Sequence, residues 1–345
     1  MKFHLNFTPK NSTNKIAIHD RIMLMGSCFT ENIGEKLKSH KFAILQNPNG
    51  ILFNPVSVTE ALNTYLLNKR VATGELFYLD ECYHSWHHHS RYSGPNPQAV
   101  IDTINQSTAD AHEFLRCADF LMITLGSAWI YELTAAAPSY IPGKVAANNH
   151  KAPSQWFQKR LLEMDEVFSM LQTLTVSLKR FNPTLKVLFT ISPVRHLREG
   201  FVENNRSKAV LISAVHRVVD EMPGSYYFPA YELVIDDLRD YRFYSEDLVH
   251  PNYAATNYVW QKFVTACITD DSQSVMKEIN EINAARSHKA FNPASEAHCR
   301  FLHTYKEKLY ALIKRYPKLN FADDIRYFEA GDNYPPGSSY PDSTT

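Results

Sequence analysis

The stretch RIMLMGSCFTENIG, Arg21–Gly34, decides the fold. Arg21–Gly26 is a short apolar run ended by glycine, the length and composition of a buried strand, and Glu31–His40 reads as a helix. Ser27 therefore sits at a strand-to-helix turn. Backbone N–H groups and the helix dipole favour a developing negative charge there. Gly26 permits a tight turn that a Cβ would hinder. Serine is also a favoured N-cap residue, so this turn alone does not separate a nucleophile from a cap.

Outward from this stretch the same alternation repeats. Phe42–Gln46 (FAILQ), Phe120–Leu125 (FLMITL) and Lys186–Ile191 (KVLFTI) read as strands, and Tyr227–Ile235 is expected to contain a fifth. Val56–Leu67, Gln98–Arg116, Ser154–Phe181 and Asn205–Glu221 carry helix-period apolar positions. Such alternation predicts an α/β fold, a parallel sheet with helices on both faces. Arg70–Pro97, rich in His, Tyr, Ser, Gly and Pro, reads as an insertion over one end of the sheet. Gln273–Ala285 and Ala294–Tyr316 predict a helical appendage, and the final NYPPGSSYPDSTT is expected to be disordered. The expected division is a core domain over 1–268 with its insertion at about 70–97, a helical extension over 269–330 and a tail over 331–345.

Bulk composition narrows the function classes. Lys+Arg and Asp+Glu each total 36 in 345 residues, a neutral balance that gives no support for nucleic acid or an anionic membrane as partner. The five cysteines show no CxxC spacing, which argues against a disulfide framework and against a zinc knuckle. MKFHLNFTPKNSTNK lacks the apolar segment of a signal peptide, and no run approaches the ~20 apolar residues that span a bilayer. The expected address is the cytoplasm.

A second informative site lies far downstream, in EDLVHPN, Glu246–Asn252. Asp247 and His250 are three residues apart, which lets both side chains face one edge. A histidine there can act as general base toward a serine hydroxyl, with the carboxylate fixing its tautomer. Pro251–Asn252 begins a helix running through Trp260, so capping is the plainer role for this loop. HSWHHHSRYSG, His84–Gly94, is conspicuous. Adjacent His88 and His89 would point apart in an extended segment, and no carboxylate or thiolate completes a site, so neither a metal nor a cofactor is expected. The stretch reads instead as a polar, aromatic lid in which Trp86 and Tyr92 suit a sugar face. His196 and Arg195, in SPVRH, follow the fourth strand and suit an anionic or hydroxyl-rich group; His150, in NNHK, is a weaker candidate. Cys28 beside Ser27 reads as a buried small side chain rather than a thiol nucleophile.

The chain order Ser, Asp, His, with Ser27 after the first strand and Asp247-x-x-His250 after the last, resembles the SGNH, or GDSL-type, hydrolase superfamily. More closely, the sequence resembles the GSCFA family through Gly26-Ser27-Cys28-Phe29-Thr30, NPNGILFNP (Asn47–Pro55), HSWHHHSRYSG, TLGSAW (Thr124–Trp129), SPVRH (Ser192–His196) and FPAYELVIDDLRDYRFYSEDLVHPN (Phe228–Asn252). The resemblance implies a flavodoxin-like three-layer α/β/α sandwich with a five-stranded parallel sheet in the order 2-1-3-4-5. The crevice of that topology lies between strands one and three, at Ser27 and Gly126–Ser127. It implies a Ser-His-Asp triad that cleaves an acyl ester of a small molecule or glycan. It also implies an oxyanion site built from the Ser27 and Gly50 N–H groups and an asparagine after strand three. Ala128 stands in that asparagine's place, so either Ser127, Asn49 or a histidine is expected to substitute, or catalysis is weaker than in the superfamily. Two other readings stay open: an O-acyltransferase moving the acyl group to a glycan hydroxyl, and a non-catalytic ligand-binding module.

Overall fold

The computed structural model describes residues 5–293 and 295–332. Arg21–Gly26 forms β1, buried throughout beyond Arg21. It passes directly into α1, Cys28–Ser39. This helix begins before Glu31 because the Ser27 carbonyl already accepts the Thr30 N–H at 2.8 Å. After β2, Ala43–Gln46, comes α2, Pro55–Leu67. Asn54 caps α2 by accepting the Ser57 N–H, and Pro55 occupies a first-turn position where no N–H is needed.

The expected insertion contains a small hairpin of β3, Phe77–Leu79, and β4, Cys82–His84. Then follow α3, Pro97–Arg116; β5, Phe120–Leu125; and a second antiparallel pair, β6, Trp129–Leu133, with β7, Phe157–Leu161. The helix expected over Ser154–Phe181 is thus shorter: α4 spans Met164–Phe181. Five residues are too few to distinguish a period of 2 from one of 3.6, and pairing with β6 settles the matter. β8, Lys186–Ile191, and α5, Phe201–Glu221, lead to the last strand, β9, Ser225–Tyr227. This strand lies earlier than expected. Phe228 makes one more ladder bond, to Phe189 O at 2.8 Å. Pro229 has no N–H to continue it, and the chain turns helical instead, in α6, Ala230–Glu232, and the turns of Leu233–Leu238. α7 spans Tyr253–Cys267.

The central sheet has the order β2-β1-β5-β8-β9, and the three inner pairings of β1, β5, β8 and β9 are parallel. This is the α/β architecture and the strand order implied by the resemblance. Met23, Met25, Ile123, Leu125, Phe189 and Ile191 pack on one face with apolar residues of α2, α3, α4 and α5. The alternate residues Ile22, Leu24, Phe120, Met122 and Leu188 are buried as well, so both faces are covered. Burial of each such side chain contributes about 1.5–3 kcal/mol.

By contacts the chain divides into two compact units. One takes Met1–Lys15, Asp20–Glu35 and Ile44–Cys267; the other takes Ile16–His19, Lys36–Ala43 and Ile268–Thr345. Within the second, α8, Asp270–Ser287, α9, Glu296–Arg315, and α10, Ala322–Asp332, form a helical cluster. Its centre holds a fully buried carboxylate, Asp324, bonded to Lys41 Nζ at 2.5 Å and Arg286 at 3.1 Å. The expected disordered tail, from residue 333 onward, lies outside the described residues.

Removing one partner of a buried ion pair strands the other charge. Asp324→Ala is therefore expected to destabilise this unit by about 3–5 kcal/mol, read as a fall in the denaturant midpoint of the helical signal. An unchanged midpoint would show that the pair contributes nothing.

Candidate active site

The site begins at the end of β1. Gly26 has φ +144°, and its N–H donates to Asn47 Oδ1 at 2.9 Å. A Cβ at this position would lie 2.2 Å from Thr124 O, so only glycine fits. Ser27 follows with its N–H on Thr124 O at 3.2 Å. Its hydroxyl is buried and has no hydrogen-bond partner. Asn47, after β2, and Thr124, in β5, thus hold the turn from its two sides.

Asp247 and His250 do come together. His250 Nδ1 and Asp247 Oδ2 are 2.6 Å apart, while Asp247 Oδ1 accepts the N–H groups of Val249 and His250 at 2.9 and 3.0 Å. Those main-chain bonds and the imidazole hold the Asp247 carboxyl down at about 2, so it is an anion at neutral pH. The turn requires Leu248 at φ +56°, a left-handed conformation uncommon for leucine. Asn252 then closes the loop: its side chain donates to Arg242 O at 2.7 Å and accepts the Ala255 N–H of α7 at 3.1 Å. Both side chains of the dyad are half exposed. The Ser27 hydroxyl and His250 share no hydrogen bond.

The loop after β8 lies against this turn, through Arg195 N–H donating to Val249 O at 3.2 Å. The Arg195 guanidinium covers the rings of Tyr244 and Tyr241 at 4.2 and 5.0 Å, holding the loop. His196 stacks on Phe53, centroids 5.1 Å apart, and its N–H is fixed by Asn204 Oδ1 at 3.0 Å. Its Nε2 is buried and unpartnered. Burial, then the Lys208 and His250 charges, push the imidazole down to about 3 and keep it neutral.

Lys208 is a functional residue that the sequence reading missed. Its ammonium is fully buried and donates to Gly126 O and Ser192 O, each at 2.7 Å. Burial lowers it to about 7. Two turn-mates in α5 do related work: Ser207 Oγ accepts the Ala128 N–H at 2.7 Å, and Asn204 holds His196. A signal was present. The buried stripe of α5 reads Asn204, Ser207, Lys208, Leu211, Ala214, Val215, Val218, polar only in its first two turns. Cys28, by contrast, has its thiol pushed above the ordinary value by burial and by Glu31, which does not favour a thiolate nucleophile.

A cleft of about 830 Å³ opens beside these strand ends, lined among others by Phe53, Ser127, Trp129, Tyr131, Asn148, His150, Phe157 and His196. Ser127 and His196 belong both to this cleft and to the strand ends. Ser27, Asp247 and His250 are not among the residues lining it.

Several expected ligand contacts prove to be internal anchors. Trp86 is fully buried, stacked on Phe77 at 3.7 Å, and so cannot present its face to a sugar. His84 uses both ring nitrogens, on Ser93 Oγ at 2.7 Å and Leu79 O at 3.0 Å. Tyr92 is bonded to Pro48 O. Asn49 is buried between Tyr65 OH at 2.7 Å and His87 O at 3.2 Å. The Gly50 N–H donates to Asn47 O at 2.7 Å, so both expected backbone oxyanion donors, Ser27 and Gly50, are already engaged. His150 lines the cleft while bonded to Ser85 O at 2.9 Å. Among the described residues no group of three or more His, Cys, Asp or Glu side chains could hold a metal ion, and no helix is long and apolar enough to cross a membrane.

Fold and site together define a parallel α/β sandwich with a serine turn after its first strand and an Asp–His pair after its last. The GSCFA family matches residues 21–263, and the GSCFA domain protein, C-terminal domain, matches residues 279–333; the chain belongs to the GSCFA family. Among solved structures it is similar to a carbohydrate esterase family 3 from Talaromyces cellulolyticus, at 10% identity and a TM-score of 0.34, covering 76% of this chain and 99% of that one. It is also similar to a Clostridium thermocellum family 3 carbohydrate esterase, at 10% identity and a TM-score of 0.32, covering 75% and 98%. No curated protein matches the chain.

Burial leads in lowering His88 to about 3, His150 to about 4 and His196 to about 3, from 6.5. Between those values and 6.5 the unfolded chain binds more protons, so stability is full above 6.5 and is lost as pH falls. The urea midpoint is expected to drop between pH 6.5 and 4, and His88→Gln to flatten that slope. A slope unchanged in the variant would remove His88 from the effect.

Proposed function

We propose that this chain is a serine esterase that cleaves an acyl ester of a small molecule or glycan. One observation carries the reading. Asp247 is an anion clamped to His250 Nδ1 at 2.6 Å, in the same unit as a serine whose buried hydroxyl has no hydrogen-bond partner. Two main-chain N–H groups pin the same carboxylate and fix its direction toward the half-exposed imidazole.

In the first step Ser27 Oγ bonds to the acyl carbon, its proton passes to His250 Nε2, and the carbonyl π pair moves onto oxygen. Collapse restores the C=O bond and breaks the bond to the alcohol, which leaves with the proton from His250. Water repeats the sequence, releasing the acid and Ser27. Asp247 holds His250 in the tautomer with its proton on Nδ1 and stabilises the imidazolium. A cleft of about 830 Å³ lies within the usual range of ligand sites, and its rings and amides, Trp129, Tyr131, Phe157 and Asn148, suit a polar ligand with a flat apolar face.

A non-catalytic module is favoured by one fact: Ser27 is only 1% exposed. Labelling separates the two. An aryl phosphonate is expected to modify Ser27 stoichiometrically, as mapped by mass spectrometry. With p-nitrophenyl acetate, Ser27→Ala and His250→Ala are expected to lower kcat by up to about 10⁶, and Asp247→Asn by about 10⁴. Unmodified Ser27 with no turnover would leave the binding module as the reading, and full turnover in the Ser27 variant would remove Ser27 as the nucleophile.

A further inference from the structure

We propose that His196 is a catalytic residue whose Nε2–H receives the acyl oxygen as Ser27 attacks. The inference rests on the serine-esterase reading. An oxyanion needs donors aimed at the place where charge develops. The N–H groups of Ser27 and Gly50 are engaged, on Thr124 O at 3.2 Å and Asn47 O at 2.7 Å. The N–H groups of Gly126 and Ser127 are engaged too, both on Phe53 O, at 2.7 and 3.1 Å. Ser127 Oγ accepts the Trp129 N–H at 3.1 Å and meets Ser207 Oγ at 3.3 Å.

Beside the first N–H groups of α1, side-chain donors remain at the strand ends. Asn47 Nδ2 is unpartnered, but Asn47 is fully buried and does not line the cleft. His196 Nε2 is also buried and unpartnered, and its residue does line the cleft. The ring is aimed by two contacts, its stack on Phe53 and a close fit over Gly126, where a Cβ would stand 2.8 Å from Nε2, while the main-chain N–H of His196 on Asn204 Oδ1 fixes its backbone. Gly126 is the residue directly after β5, facing the crevice beside Ser27 by strand order. The neighbouring main-chain bond, Arg195 N–H to Val249 O, holds the loop that carries His196 against the His250 turn. No proton transfer is needed. The π pair moves onto the carbonyl oxygen, and the neutral imidazole, with its proton on Nε2, donates a hydrogen bond to that charge.

The test compares His196→Phe, which keeps the stack on Phe53 without a donor, with His196→Gln, which restores an N–H at similar reach. His196→Ala serves as a second donor-free variant. Each is followed by kcat and KM on p-nitrophenyl acetate, melting temperature and phosphonate labelling. Loss of one oxyanion donor is expected to lower kcat by about 10²–10³ in the Phe and Ala variants, with KM within about threefold, and the Gln variant to recover about tenfold or more. Three outcomes overturn it. Unchanged kcat in the Phe and Ala variants, with Ser27 still labelled, removes His196 and leaves the esterase. Equal losses in the Phe and Gln variants with lowered melting temperatures assign a structural role. An unlabelled Ser27 in the wild type removes both readings.

Discussion

The Lys208 ammonium is the constraint on which the crevice depends. Two neighbouring parallel strands, β5 and β8, end with carbonyl groups that no further ladder bond satisfies. Lys208 donates to one from each, Gly126 O and Ser192 O. A buried cation costs several kcal/mol to desolvate, and an apolar side chain of the same size would leave both carbonyls unpaired at about 1–3 kcal/mol each. The lysine is the solution that fixes where both loops depart. With Ser207 on the Ala128 N–H and Asn204 on the His196 N–H, the first two turns of α5 become a clamp on the loops after β5 and β8. The rest of its stripe is ordinary core.

The same economy of polar groups shapes the nucleophile turn. At the end of β1 the N–H of Gly26 goes to Asn47 and that of Ser27 to Thr124, while Gly26 O accepts from Leu52 at 3.2 Å. Few main-chain groups there are left for a ligand. The hydroxyl of Ser27 is among the polar atoms the turn leaves over, with Thr30 Oγ1 and Asn47 Nδ2.

Sheet and dyad were legible because their signals are local. Arg21–Gly26 and Lys186–Ile191 are continuous apolar runs of strand length, and their bounds in the structure are those of the runs. Asp247 and His250 share one turn, so spacing alone brings them together. Long-range facts were not legible. Phe157–Leu161 becomes a strand only because Trp129–Leu133 is there to pair with it. Trp86 looked like a sugar platform until Phe77, on a different strand, was found stacked on it. Among the histidines, composition could not distinguish His84, with both nitrogens bonded, from His196, with a buried nitrogen free. That difference depends on which carbonyls happen to lie within reach, and those come from remote segments.

The His250 turn differs in kind from the Ser27 turn. Ser27 is held by strands on both sides, whereas His250 is held by a turn whose two ends are joined by Ser245 N–H to His250 O at 2.8 Å, with a left-handed leucine between. Such a turn is the softest part of the site, because strand ladders resist displacement and one strained loop residue does not. Its anchors are Asn252 below and the Arg195 N–H beside it. The second anchor belongs to the segment that carries His196. The His250 turn is thus tied to the loop after β8, whose departure Lys208 fixes through Ser192 O.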